Sequence, residues 1–248
     1  MLLLMMTIAQ AKNLSSGEFD DTGHTLAAGQ KQIDVFRASQ FAISNELELS
    51  TVILGNSGRD ARGGLLAGPN LGLEYAIQEG KQGALSVGIS LASNWQFTGQ
   101  TLGGNVTWTK GGPGSNRFNL SGGGSVATSK VEVAEVCVQE PCSSESERVR
   151  VNAPGTSLYA SYHIVPSKKT TWRIYGGLDP LNTVRSEAFQ GSLGFDWNHG
   201  FGESARVSLG LRLQTPTRLI AVFDRFDVDS SGLPAVFPVP TANLFFTW

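Results

Sequence analysis

The stretch that decides the fold is Asn70-Leu71-Gly72-Leu73-Glu74-Tyr75-Ala76-Ile77, followed after a turn by Ala84-Leu85-Ser86-Val87-Gly88-Ile89-Ser90-Leu91-Ala92-Ser93-Asn94-Trp95-Gln96-Phe97. Leu71, Leu73, Tyr75 and Ile77 fall on one strand face, opposite Asn70, Gly72, Glu74 and Ala76. Beyond the turn Glu79-Gly80-Lys81-Gln82-Gly83, Leu85, Val87, Ile89, Leu91, Trp95 and Phe97 oppose Ser86, Gly88, Ser90, Ala92, Asn94 and Gln96. The period is two, and it runs well past the usual strand length of about five or six residues. Helix period is absent, so this is a long antiparallel hairpin.

The theme continues in both directions from about Gly29. Val106 and Trp108 alternate with Asn105, Thr107 and Thr109; Leu158, Ala160, Tyr162 and Ile164 alternate with Ser157, Tyr159, Ser161 and His163. Trp172, Ile174 and Leu178 oppose Arg173, Tyr175 and Asp179, and Phe189, Leu193, Phe195 and Trp197 oppose Gln190, Ser192, Asp196 and Asn198. Val207, Leu209, Leu211 and Leu213 oppose Arg206, Ser208, Gly210, Arg212 and Gln214. The pattern predicts an all-β chain with about ten to twelve strands.

Such strands build either a soluble sandwich, apolar side in, or a transmembrane antiparallel up-and-down β-barrel, apolar side out. Three features favour the barrel. The polar face is rich in Gly, Ser, Asn and Gln, not in the Lys and Glu that solubilise a sandwich surface. Trp95, Trp108, Trp172, Trp197 and Trp248 sit near segment ends, where a membrane-interface girdle needs aromatics. Several segments reach the nine to eleven residues, approximately, that a tilted strand needs to cross a bilayer.

Composition is compatible with this. The 248 residues include 30 Gly, 13 Phe and 5 Trp, and only 16% are charged. The mean hydropathy is -0.07, because alternating faces average out in a barrel. The net charge of -2 and the lack of a dense basic cluster argue against a nucleic-acid partner.

The ending Ala242-Asn243-Leu244-Phe245-Phe246-Thr247-Trp248 keeps one face large and apolar up to the carboxyl end. It resembles the carboxy-terminal strand of Gram-negative outer-membrane β-barrels. Gln40-Phe41-Ala42-Ile43-Ser44-Asn45-Glu46-Leu47-Glu48-Leu49 is similar to a turn-and-strand, Y-G-[IL]-T-D-R-L-E-L, of poorly characterised barrels in that class. Phe41, Ala42 and Asn45-Glu46 depart from it. The resemblance implies an outer-membrane location, outer-membrane lipid as surroundings, and the assembly machinery as a partner through Leu244, Phe246 and Trp248. It carries over no catalytic residue.

Organisation follows. Met1 to Ile8 is apolar and precedes Ala9-Gln10-Ala11, so residues 1–11 are expected to be a signal peptide, although no basic segment precedes the run. Residues 12–28 form an irregular amino-terminal segment, and 29–248 the barrel. Cys137 and Cys142 are the two cysteines; a disulfide between them would close a small loop in an oxidising compartment. Short links at Gly80–Gln82, Gly111–Gly114, Pro166–Lys169 and Asn198–Gly200 are expected at one end. Longer stretches at Gly55–Gly68, Glu135–Arg150 and Asp229–Pro238 are expected at the other. This leaves the count odd unless a strand precedes Gln30 or Ala205–Asp227 is divided.

The chemistry-bearing residues are few. His24, His163 and His199 are the histidines, expected respectively as mobile, of interest beside Ser161, and solvated in a turn. Ser161 and His163 share a strand face, yet positions two apart are separated by about 7 Å of rise, so no direct pairing is expected. Gly122-Gly123-Gly124-Ser125 lacks the Lys-Ser/Thr of a phosphate loop. Asp224 to Gly232 has alternating acids but Pro238 where a calcium loop needs its closing Glu. No metal site and no cofactor are expected. The inward face carries Glu48, Glu74, Arg173, Asp179, Asp196, Arg206 and Arg212. If these pair, they are structural; if they separate into opposed patches, they set ion preference in a watery passage. The leading expectation is a narrow pore or small-solute channel. The alternatives are a plugged structural or surface-binding barrel and, third, a lipid hydrolase.

Overall fold

A computed structural model describes residues 23–34, 38–52, 68–112, 114–133, 147–181, 191–201, 204–215 and 236–247. Twelve strands occur among them. They are β1 (Lys31–Asp34), β2 (Ala38–Ala42), β3 (Leu47–Val52), β4 (Asn70–Gly80), β5 (Gly83–Ser93), β6 (Gly99–Lys110), β7 (Arg117–Val133), β8 (Glu147–Ser167), β9 (Thr170–Leu178), β10 (Gly191–Phe201), β11 (Ala205–Gln214) and β12 (Phe237–Thr247). Each strand pairs antiparallel with its neighbours in sequence, and β1 pairs with β12, so the sheet closes into an up-and-down barrel. Closure matters physically because it leaves no sheet edge to be satisfied by other chains.

The even count has a source the sequence reading missed. Residues 31–42 hold two short strands, with Lys31 opposite Phe41 and Gln32 opposite Gln40. No strand before Gln30 is needed for the count, and within Ala205–Asp227 the described residues 205–215 contribute β11, the rest lying outside the described residues. Boundaries also shift. Asn198-His199-Gly200 lies inside β10, and the connection to β11 comes after Phe201. Glu147–Arg150 and Phe237–Pro238 are strand, not loop.

All connections alternate between two ends. Residues 43–46, 81–82, 111–116, 168–169 and 202–204 connect strands at one end, here the short-turn end, where β12 also finishes. The longer connections 53–69, 134–146, 179–190 and 215–236 lie at the opposite, long-loop end. At the short-turn end Gly111 has φ 108°, and a Cβ there would stand 2.5 Å from the Asn116 carbonyl oxygen, which explains the glycine.

The barrel is inside out relative to a soluble core. Leu71, Ile89, Leu91, Leu102, Leu209 and Leu211 are exposed on the outer face, Ile89 by 59%. Inward positions of the barrel strands hold buried Ser86, Thr107, Thr109, Asn119, Asp196 and Ser208. Outside the protruding part of the β7–β8 hairpin, no charged side chain occupies an outward position between the strand ends from β4 to β12 among the described residues. The β7–β8 hairpin extends past the rim: Glu147–Ser157 pair with β7, whereas pairing with β9 begins only at Leu158. There Lys130 and Arg150 stand opposite each other, both exposed, so the outer face turns polar above Val126.

One irregularity positions a key residue. A bulge between Ala76 and Gln78 shifts the β4–β5 register, so that Glu79 pairs with Ala84 and faces inward. Strict alternation from Leu71 would have pointed Glu79 outward.

Phe245 is the large apolar exception inside. It is 1% exposed and lies opposite Asp34 on β1 and Arg206 on β11, at a seam where β1 and β12 share three residue pairs. Phe245→Ala is expected to lower stability by about 3–5 kcal/mol through the cavity it opens, read from urea unfolding of the refolded protein, with Phe246→Ala on the exposed face changing it far less.

Candidate functional site

Among the described residues the interior gathers buried polar and charged side chains of both signs, so it is the candidate site. Its short-turn half is filled by the chain's own residues 23–30. Gly23 enters deepest: its N–H donates to Thr109 Oγ1 at 2.8 Å, and a Cβ would meet the Thr107 carbonyl oxygen at 2.9 Å. His24, expected to be mobile, is 7% exposed. Its Nε2 lies 3.0 Å from the Gly111 carbonyl oxygen and its Nδ1 3.4 Å from Glu79 Oε1. Thr25 Oγ1 lies 2.6 Å from the Asn45 carbonyl oxygen and 3.0 Å from Glu79 Oε2. Leu26 buries its side chain, and its N–H donates to Glu48 Oε2 at 3.0 Å. The segment then turns through Gly29, at φ 80°, into β1.

A polar chain crosses the other side of the same half. Thr109 Oγ1 donates to Asn119 Oδ1 at 2.7 Å, and Asn119 Nδ2 donates to Ser161 Oγ at 2.9 Å. Ser161 Oγ lies 3.2 Å from His163 Nε2, and Arg117 Nε donates to His163 Nδ1 at 3.1 Å. The expectation that Ser161 and His163 cannot meet is therefore overturned: the imidazole leans along the strand and closes the gap. The contact has the wrong polarity for catalysis. With the guanidinium on Nδ1, the neutral ring carries its proton on Nε2 and donates to Ser161, so it cannot accept the serine proton as a base. Arg117, Asn119, Ser161 and His163 are all at or below 2% exposed, out of reach of a substrate.

Above this floor, three large side chains lean over glycines of the next strand. Tyr159 on β8 lies against Gly177 of β9, Tyr175 on β9 against Gly194 of β10, and Asp196 on β10 against Gly210 of β11. A Cβ at Gly194 or Gly210 would collide with its occupant. Arg173 pairs with Asp196, and its guanidinium lies 4.4 Å from the centre of the Tyr175 ring. Thr241 Oγ1 donates to Asp196 Oδ1 at 2.9 Å. Arg212 Nε donates to the Tyr175 hydroxyl at 3.3 Å. Nearer the long-loop end, the inward positions of β5 to β10 narrow to Ser90, Gly103, Ser125, Ser157, Gly177 and Ser192.

The charges separate across the interior. Glu48, Glu74 and Glu79 lie on β3 and β4; Arg117, Arg173, Arg206 and Arg212 lie on β7, β9 and β11. Asp196 is neutralised by Arg173, and Asp34 accepts from Asn243 Nδ2 at 2.6 Å. Of the residues singled out in the sequence, Glu48, Arg173, Asp196 and Arg206 are buried, and Glu74 accepts from Ser86 Oγ. Asp179 departs from the others: it follows the end of β9 at the long-loop rim, accepting from Thr156 Oγ1 at 3.4 Å. Sequence reasoning missed Glu79, Arg117 and His24, because a bulge, a turn boundary and a non-periodic segment set their positions.

The aromatics form two groups. Trp108, Trp172 and Trp197 face outward near the short-turn end, where Trp108 meets Phe118 and Trp172 meets Phe195 edge to face, with ring centres 6.2 and 5.7 Å apart. Trp95 is 75% exposed in the 94–98 turn at the long-loop end. Between the ends, an outer groove of about 540 Å³ has Ala160 and Gly176 as its floor and Leu158, Leu178 and Leu193 among its walls. Leu244 and Phe246 are outward and exposed. Trp248, Cys137, Cys142, residues 1–22 and the Asp224–Gly232 stretch lie outside the described residues. Among the described residues no helix is long and apolar enough to cross a membrane, a test that does not bear on strands.

No family model and no curated protein matches the chain.

Removing one member of the buried ion pair tests how much the interior depends on it. Asp196→Ala is expected to cost about 3–5 kcal/mol, because it strands the Arg173 charge, whereas Arg173→Met with Asp196→Leu recovers most of that loss. Denaturant titration of the three variants measures both.

Proposed function

We propose that the protein is an outer-membrane barrel that provides a gated, narrow passage for small polar solutes, with residues 23–30 as the gate. The observation that carries this reading is the inversion of polarity. An outer wall of Leu, Ile, Val and Trp that carries no charge below the protruding β7–β8 hairpin is costly in water and suited to lipid. The interior supplies the matching polar lining. Leu244, Phe246 and Trp248 serve as the assembly signal at the end of β12, and the long loops face away from the assembly side.

The gate reading rests on how residues 23–30 are held. The segment's attachments include hydrogen bonds to Glu48 and Glu79. Each such bond is worth little net when water can replace it, about 0.5–1.5 kcal/mol. Withdrawal of the segment would uncover the Glu48, Glu74 and Glu79 wall to water and give the passage a preference for cations. The plugged, surface-binding alternative is favoured by one feature, the dense Arg117–His163–Asn119 cluster, which fills the other side of the short-turn half with or without the segment.

Planar-bilayer recordings separate the two. The intact protein is expected to conduct little, and a variant lacking residues 1–28 to show cation-preferring single-channel steps that Glu48→Gln with Glu74→Gln weakens. Absence of steps from the folded truncated protein would reject the passage and leave the plugged barrel. A second result bears on the wall: Ile89→Arg is expected to destabilise the lipid-embedded protein by about 2–4 kcal/mol if it faces the bilayer middle, and to leave stability unchanged if the wall faces water.

A further inference from the structure

We propose that the long-loop half of the interior is a binding site for a small oxyanion, a carboxylate or phosphate group, with Arg212 as its recognition residue. The starting point is an excess of positive charge. Arg173 and Arg212 approach one ring, their guanidinium carbons 4.4 and 5.7 Å from the centre of Tyr175. Asp196 is engaged by Arg173 and Thr241, and Arg212 makes no ion pair among the described residues. The Arg212 charge therefore stands unneutralised in a site partly shielded from water, where an anion is held more strongly than at a surface.

Arg212 is presented for that purpose. Its Nε is fixed by the Tyr175 hydroxyl, and Tyr175 is itself fixed, 3% exposed and lying against Gly194. The two terminal nitrogens have no protein partner among the described residues. They form the planar fork that matches a carboxylate or phosphate with two parallel hydrogen bonds. Arg212 is half-buried, unlike Arg173 and Arg206, which are 3% exposed. Directly opposite it in the sheet stand Gly194 on β10 and Val239 on β12, neither of which competes for the guanidinium. Ser192 on the neighbouring β10 is short, and Gln214 adds an amide two positions along β11. The packed floor below limits the ligand to a small one.

This site does not depend on the gate, because it lies on the long-loop side of the packed floor and binds with the short-turn end closed. The test is calorimetric titration of the full chain, refolded in detergent micelles, with inorganic phosphate, acetate and benzoate. Saturable binding of at least one of them is expected, weakening with added salt. Preference for phosphate identifies a phosphate-bearing solute; preference for benzoate over acetate identifies a carboxylate with a flat apolar body, set against the half-buried Tyr159. Arg212→Gln is expected to weaken binding ~10-fold or more, as loss of a charged hydrogen-bonded contact does. Arg212→Lys should retain part of the affinity, Tyr175→Phe should weaken it by releasing Nε, and Arg150→Gln on the protruding hairpin should leave it unchanged. The proposal is overturned if no probe saturates, if folded Arg212→Gln or Arg212→Lys with Tyr175→Phe binds as the wild type does, or if Arg150→Gln loses as much affinity as Arg212→Gln.

Discussion

A closed ladder with its apolar side chains outward turns its polar groups inward, where most must find partners inside the barrel, and the rest of the structure follows from that. A buried donor or acceptor without a partner costs about 1–3 kcal/mol, more if it is charged. The interior meets this with chains of bonds that run from strand to strand, such as Thr109 to Asn119 to Ser161 to His163 to Arg117. The same demand explains the amino-terminal segment. Its backbone N–H groups at Gly23 and Leu26 donate to Thr109 and Glu48, completing partners that the strands alone leave open. The glycines serve the same purpose differently, since Gly177, Gly194 and Gly210 give Tyr159, Tyr175 and Asp196 a place to lie.

Much of the fold was legible because period-two alternation is a direct projection of a two-faced sheet. Leu85 to Leu91 on β5 and Val207 to Leu213 on β11 needed no further information, and the alternation of short and long connections followed from them. The short strands β1 and β2 were not legible as a pair, since four and five residues hold too few alternations to announce themselves. The ends of β8, β10 and β12 were misjudged for a related reason: strands that pair beyond the usual length absorb residues, Asn198 to Gly200 among them, that read locally as turns.

The interior was legible only in part. Glu48, Glu74, Arg173, Asp196, Arg206 and Arg212 could be placed by counting from a known outward residue, but their division into an acidic wall and a basic wall requires the order of strands around the barrel. Glu79 escaped because the bulge after Ala76 reverses the count. His24 escaped because nothing periodic precedes β1, and its partners at Glu79 and Gly111 are distant in sequence. The Ser161–His163 contact was misread from rise alone; the reach of an imidazole ring was the missing quantity, and the Arg117 bond then decides the direction of the proton. In all three cases the decisive information is a local geometry or a contact that the period of one strand does not contain.

The account stands on the claim that the apolar outer wall meets lipid. Its most direct measurement is nitroxide accessibility in a lipid bilayer, with single spin labels introduced at Leu91, Leu209 and Lys130 in a chain whose Cys137 and Cys142 are replaced by Ser. The account predicts that labels at Leu91 and Leu209 relax with oxygen and not with a water-soluble nickel chelate, and that the label at Lys130 does the reverse. Equal access of the nickel reagent to all three positions would contradict it.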